Sequence, residues 1–146
     1  MFDSLFTSST MPLLQKVAAF TERRNEALAG NVANISTPNY KTRDLPVAEF
    51  QKALKDAVAR RTDATQSPNA NWKFTASEAN AAELFPAKLF QITDAPSGGI
   101  TFQDGNDRNI EAEMMEMTKN SLLQNMAIEL LSAQMNRLQA VISERP

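Results

Sequence analysis

From Asn109 to about Ser143 the chain contains neither proline nor glycine. Met114, Met117, Ser121, Gln124, Ile128, Leu131, Met135, Leu138 and Ile142 follow an unbroken alternation of three- and four-residue steps. That spacing is a heptad seam. Asn109 is placed to cap the helix, and Glu111 and Glu113 fall in its first turn, where the helix dipole favours acids. A helix of this length spans about 50 Å at 1.5 Å per residue. No compact globule of 146 residues needs one so long. Its partner is the N-terminal helix, another subunit, or both. Ser121 and Gln124 interrupt the seam as register-fixing polar residues do, although a solvent-facing stretch explains them as simply.

The N-terminal half supplies a matching element. Thr10 is a plausible cap and Pro12 suits a first turn, so a helix is predicted from about Pro12 to Asn31. Leu14, Val17, Thr21, Arg24 and Leu28 form one stripe; Leu13, Val17, Phe20, Arg24 and Ala27 form a second that overlaps it. Two stripes allow contact from more than one side. Upstream, Phe2, Leu5 and Phe6 line one side of a turn too short to fold alone.

The middle of the chain is weaker in pattern. Val47, Phe50, Leu54, Ala57 and Val58 mark a short amphipathic helix over about 47–61, with Arg60 and Arg61 in its last turn. Residues 62–83 are polar and aperiodic and read as a linker or mobile loop, with Trp72 its one large apolar group. Lys88–Ile92 and Ile100–Gln103 alternate in part and suggest a small hairpin. The expected fold is therefore mainly α: long N- and C-terminal helices pairing as an antiparallel coiled coil, a short middle helix, and a small β-hairpin region.

Composition removes most chemistry. The chain has no cysteine and no histidine. Disulfides, zinc sites built on those residues, and Cys–His or Ser–His–Asp catalysis are excluded. Acid pairs remain, Glu111/Glu113 and Asp104/Asp107, but no further ligand set or phosphate-binding loop accompanies them. "DGNDRN" lacks the spacing and closing glutamate of a calcium loop. No catalytic, cofactor-binding or metal-binding residue is assigned and no cofactor is implied, although an acid-only hydrolase remains formally open. The net charge of −2 argues against bulk nucleic-acid binding. Residues 1–61 carry nine basic and six acidic side chains, and residues 62–146 six and eleven, so the halves differ in sign. No apolar run is long enough for a transmembrane helix. The start has neither the basic nor the apolar region of a Sec-type signal peptide.

One stretch remains, "NVANISTPNYK", Asn31 to Lys41. Gly30, Asn31 and Asn34 can end a helix by left-handed or side-chain-capped geometry. Thr37-Pro38-Asn39-Tyr40 fits a β-turn with proline at i+1 and asparagine at i+2. A helix exit and a turn account for these residues, yet so many amides and hydroxyls beside a tyrosine also make a good interaction surface.

The segment "RRNEALAGNVANISTPNYKTRDL" resembles the N-terminal signature of bacterial flagellar rod and hook proteins, asparagine-x-alanine-asparagine-x-x-threonine-proline-glycine-tyrosine. "DGNDRNIEAEMMEMTKNSLLQNMAIELLSAQMNRLQAVI" is similar to the C-terminal end of that family. The two matches cover about residues 13–54 and 104–143. Length and "KTRDL" place the chain nearest the proximal rod type. The resemblance implies a structural, non-enzymatic subunit of the flagellar basal-body rod. It further implies a discontinuous coiled-coil inner domain, 1–45 with 104–146, and a variable middle segment, 46–103. The implied partners are further copies, other rod proteins, the protein joining the rod to the membrane ring, and the flagellar type III export apparatus. Nucleic acid and direct membrane insertion are not implied. Location would be the periplasm-spanning rod, reached without a Sec signal. Asn31, Ala33, Asn34, Thr37, Pro38 and Tyr40 occupy the motif positions, implying subunit contacts; Asn39 stands where the family has glycine. Leu14, Val17, Phe20, Leu28, Met117, Ile128, Leu131, Met135, Leu138 and Ile142 are the expected coiled-coil seam. From the residues alone, a free-standing helical-hairpin adaptor or chaperone-like module is the alternative.

Overall fold

The computed structural model describes residues 10–66, 84–95 and 110–143. Helix α1 spans Met11–Ala33, α2 Val47–Gln66 and α3 Ile110–Ser143. Between them lie a two-residue strand β1, Arg43–Asp44, a 3-10 turn, Ala87–Phe90, and a second short strand β2, Thr93–Asp94. Pro12 sits in the first turn of α1, where its missing N–H costs nothing. Thr10 takes the cap position, but its hydroxyl makes no capping bond. Its carbonyl instead accepts the Leu14 N–H at 3.1 Å.

α1 and α3 pair antiparallel: Asn31 of α1 meets Glu113, Arg24 meets Glu116, and Thr21 meets Asn120. The roughly 50 Å of α3 runs on past Met11, because α3 has 34 residues and α1 only 23. Both stripes of α1 are used. Phe20 and Ala27, with Leu13 and Val17 beside them, join a cluster with Leu45, Phe50, Ala57, Phe85 and Leu89. Thr21, Arg24 and Asn31 turn to α3, and buried Leu28 is one heptad from Thr21 on that same side.

The cluster that attaches α2 to α1 is aromatic. The Phe20 and Phe50 rings stack with centroids 3.9 Å apart and planes 9° apart. Phe90 meets both edge-on at 6.2 Å, and Phe85 lies 5.5 Å from Phe50. Such contacts add to the burial of the rings themselves.

Three local expectations need correcting. The middle helix runs on to Gln66, so Arg60 and Arg61 are not in its last turn; residues 62–66 are helix rather than linker. Lys88–Ile92 is not a strand. Most of it forms the 3-10 turn, which buries Leu89 in the aromatic cluster, and burial outweighs a weak alternation. The sheet lies elsewhere, pairing Arg43 with Asp94 and Asp44 with Thr93, antiparallel. Phe2, Leu5, Phe6, Trp72, Ile100–Gln103, Asp104, Asp107 and Asn109 lie outside the described residues.

Phe50 touches every aromatic element of the cluster. Phe50→Ala should cost about 3–5 kcal/mol and detach α2 from α1. Urea unfolding followed by far-ultraviolet circular dichroism measures the loss.

Candidate functional site

The polar residues at the α1–α3 contact form one connected system with the loop between α1 and α2. Arg24 is buried on α1. A buried guanidinium must be paired. Arg24 donates through Nε to Asp44 Oδ1 at 2.9 Å and through Nη2 to Asp44 Oδ2 at 2.8 Å, a two-pronged pair. Nη2 also donates to Glu116 Oε2 of α3 at 2.9 Å. Glu116 Oε1 in turn accepts from Lys119 Nζ at 2.9 Å. The hydrogen bond to Asp44 raises the Arg24 pKa against the opposing effect of burial. Lys119 first, and Arg24 second, hold the Glu116 carboxyl below its ordinary range.

Asn120 marks the tightest point of the helix pair. Its side chain is 1% exposed. Its Nδ2 donates to the Thr21 carbonyl at 2.7 Å. That carbonyl lies on a turn where the Thr21 hydroxyl bonds back to Val17 and Ala18. One buried amide reaching one backbone oxygen fixes the register of the two helices.

Asn31 closes the system at the other end. Its Nδ2 donates to the Arg43 carbonyl at 2.8 Å and to Glu113 Oε2 at 3.2 Å. Its Oδ1 accepts the Arg43 N–H at 2.9 Å and the Tyr40 hydroxyl at 3.2 Å. The amide thus pairs with both backbone groups of Arg43 as a neighbouring strand would, and all its bonding capacity is used. Gly30 does not end the helix. Asn34 does, capping through its side chain by an Nδ2 bond to the Gly30 carbonyl at 2.9 Å. Asn34 also receives the Thr37 N–H on its carbonyl at 2.8 Å. The Tyr40 N–H then reaches the Thr37 carbonyl at 3.3 Å, closing the proline turn. Asn39 has φ 59°, the one positive value among the described non-glycine residues. A positive φ at i+2 is what a type II turn requires, and asparagine accepts it better than most residues.

The motif therefore divides. Asn31 is buried, Asn34 and Tyr40 are half-buried, and all three are bonded within the chain; Ala33, Thr37 and Pro38 are exposed. The expected seam divides as well. Leu28 is buried, Leu14, Val17, Met117, Leu131 and Leu138 are half-buried, and Phe20 belongs to the aromatic cluster. Ile128, Met135 and Ile142 are exposed in the single chain. α3 turns to α1 a face of Glu113, Met117, Asn120, Gln124 and Ala127, and Leu131, Gln134 and Leu138 continue the same column; all are buried or half-buried. This face also follows four- and three-residue steps, but half of its positions are polar. Asn120 and the Arg24–Asp44–Glu116 triad were not anticipated. The signal for the triad was an arginine inside an apolar stripe.

Among the described residues no group of three or more Asp, Glu, His or Cys is placed to hold a metal. No helix among them is long and apolar enough to cross a membrane. The bonds just described hold helices and loop together.

Asn31→Ala strands the Arg43 N–H and carbonyl and should cost about 2 kcal/mol, read from the urea midpoint. Asn39→Gly should be close to neutral, whereas Asn39→Val should cost about 1–2 kcal/mol because a β-branched residue is strained at positive φ. Glu116 has a lowered pKa in the folded state. Its contribution is complete above the ordinary glutamate value of 4.5 and is lost as pH falls through the lower folded value. Glu116→Gln should remove that part of the acid sensitivity, as a flatter urea midpoint between about pH 5 and pH 3.

No protein-family model matches the chain. Curated relatives do. The flagellar basal body rod protein FlgB of Escherichia coli K12 is 33% identical over 131 residues, covering 88% of each chain. That of Bacillus subtilis 168 is 26% identical over 141 residues, covering 96% of this chain and 97% of the relative. FlgB of Cereibacter sphaeroides is 30% identical over 122 residues, covering 83% and 84%. Identity at this level, across nearly the whole length of both proteins, shows that the chain belongs to the FlgB family of flagellar basal body rod proteins.

Proposed function

We propose that this chain is a structural subunit of the flagellar basal-body rod, polymerising with copies of itself and with other rod proteins as part of the proximal drive shaft. Its relatives carry the name of a rod protein, which supports a structural rather than an enzymatic role and a place in the basal body.

The observation that carries the reading is the outer surface of α3. Leu122 is 70% exposed, and Met115, Leu123, Met126, Leu130 and Val141 are exposed too. Met115, Leu122 and Met126 lie opposite Asn120 and Ala127, the residues that α3 buries against α1. Ile128, Met135 and Ile142, also exposed, border the side turned to α1. An apolar helix side left open in the single chain is covered in its working state. Exposed apolar patches of this kind mark interaction surfaces. α1 covers one side of α3, and neighbouring subunits cover the rest. The exposed motif residues Ala33, Thr37 and Pro38 add a second contact at the far end of the hairpin.

The partners follow from the same reading: further copies, other rod proteins, the protein joining the rod to the membrane ring, and the flagellar type III apparatus that delivers the subunit. Residues 1–45 and 104–146 form the inner, assembling part, and 46–103 the variable part.

Leu122→Asp tests the reading. It places a charge on the outer face without touching the Asn120, Arg24 or Asn31 bonds. The subunit should keep its helical circular dichroism yet fail to co-sediment with rod neighbours and fail to restore motility to a strain lacking the native subunit. Normal incorporation of Leu122→Asp would overturn the proposal.

A further inference from the structure

Five of the seven methionines in the chain lie on α3: Met114, Met115, Met117, Met126 and Met135. Cysteine and histidine are absent throughout. The thioethers are then the softest nucleophiles of the protein and its first targets for two-electron oxidants. Their settings differ. Met11 on α1 is buried, and Met117 is half-buried on the face turned to α1. Met114 is 49% exposed, Met115 and Met126 57%, and Met135 42%.

We propose that Met114, Met115, Met126 and Met135 form a reversible oxidation site that controls assembly: a peroxide converts them to sulfoxides before the subunit is incorporated, and a methionine sulfoxide reductase restores them. The thioether sulfur attacks one peroxide oxygen. An S–O bond forms, the O–O bond breaks, and the second oxygen leaves as water. Sulfur loses two electrons and the peroxide gains them. In the return step a dithiol supplies two electrons and two protons, the sulfoxide oxygen leaves as water, and the dithiol becomes a disulfide.

The placement of these side chains makes the modification selective. No exposed methionine takes part in the Asn120–Thr21, Arg24–Glu116 or Asn31–Glu113 bonds that hold α3 to α1. Sulfoxides at these exposed positions stay hydrated in the single subunit and leave its fold intact. Buried against a neighbour, each S=O dipole loses its water without gaining a partner, and that costs free energy. The modification is therefore a lesion of assembly rather than of folding. This inference rests on the docking role of α3 proposed above.

The test uses the full chain treated with dilute hydrogen peroxide. Peptide mass spectrometry should find sulfoxide at Met114, Met115, Met126 and Met135 before Met11 and Met117, with circular dichroism unchanged. Sedimentable assemblies should fall about tenfold, the effect of each 1.4 kcal/mol lost. Methionine sulfoxide reductase with dithiothreitol should restore them. Two variants complete the set: Met126→Leu with Met135→Leu should blunt the loss, and Met126→Gln, a polar stand-in for the sulfoxide, should reproduce it without oxidant. Oxidation of Met11 and Met117 as fast as the exposed four overturns the site. Normal assembly of the oxidised chain overturns the control of assembly. Failure of the untreated chain to assemble overturns the docking role, and the control of assembly with it, while the order of oxidation is still read from the same sample.

Discussion

A buried guanidinium is the demand that the rest of this fold answers. Arg24 is buried on the side of α1 that turns to α3, and it cannot be left there without anions. Asp44 comes to it from the loop, twenty residues on, and Glu116 from α3, ninety-two residues on. One side chain thereby ties three segments that are far apart in sequence. Leu45 anchors the loop in the aromatic cluster, and the ion pair adds to a sheet of only two residues per strand. Asn31 extends the same arrangement by two more turns of α1, binding Arg43 on one side and Glu113 on the other. Polar contacts of this kind are directional, so they fix register where a wholly apolar face would tolerate sliding.

α1 is thus asked to satisfy two kinds of neighbour. On one side it presents Phe20 and Ala27 to an aromatic cluster that holds α2 and the 3-10 turn. On the other it presents Thr21, Arg24, Leu28 and Asn31 to α3 and the loop. The aromatic side supplies burial and the polar side supplies position. Loss of Phe50 would weaken attachment of the middle segment while the bonds that align α1 with α3 remain, because no residue of the Arg24 or Asn31 system belongs to the cluster.

Much of this was legible in the sequence. Both stripes on α1 and the length of α3 followed from spacing alone, and a run without proline or glycine from Ile110 to Ser143 left little alternative to a helix. The proline turn was legible too, with Asn39 at the position that needs positive φ. The face of α3 that meets α1 was only half legible, since Met117, Gln124, Leu131 and Leu138 belong to the expected seam and to the observed face alike. Apolar periodicity selects the most hydrophobic column, and on α3 that column includes Ile128, Met135 and Ile142. Inside the chain, however, α1 offers Arg24, Asn31 and the Thr21 carbonyl, and these select Glu116, Glu113 and Asn120 instead. Glu113, Asn120, Ala127 and Gln134 take the places of Met114, Ser121, Ile128 and Met135, each one residue on, which turns the face as a whole by about 50°. The pairing of Arg43–Asp44 with Thr93–Asp94 was equally hidden, since strands of two residues carry no periodicity.

That rotation explains why a single helix needs both columns. If α3 had spent its most apolar face on α1, the hairpin would have been closed by hydrophobic contact and its outer surface would have been polar, as in a finished monomer. The observed arrangement does the reverse. The contact within the chain relies on a few well-placed hydrogen bonds and ion pairs together with small or half-buried side chains. Such a contact fixes alignment with little apolar area. Leu122, Leu123, Met126 and Leu130 are left outside, where burial in a further contact contributes about 25 cal/mol for each Å² removed from water. Free energy available on association is thereby kept in reserve, and the polar lock ensures that every copy presents the reserve in the same register. The assembly proposed above would draw on both: a uniform geometry, which directional bonds provide, and a driving force, which exposed leucine, isoleucine and methionine provide.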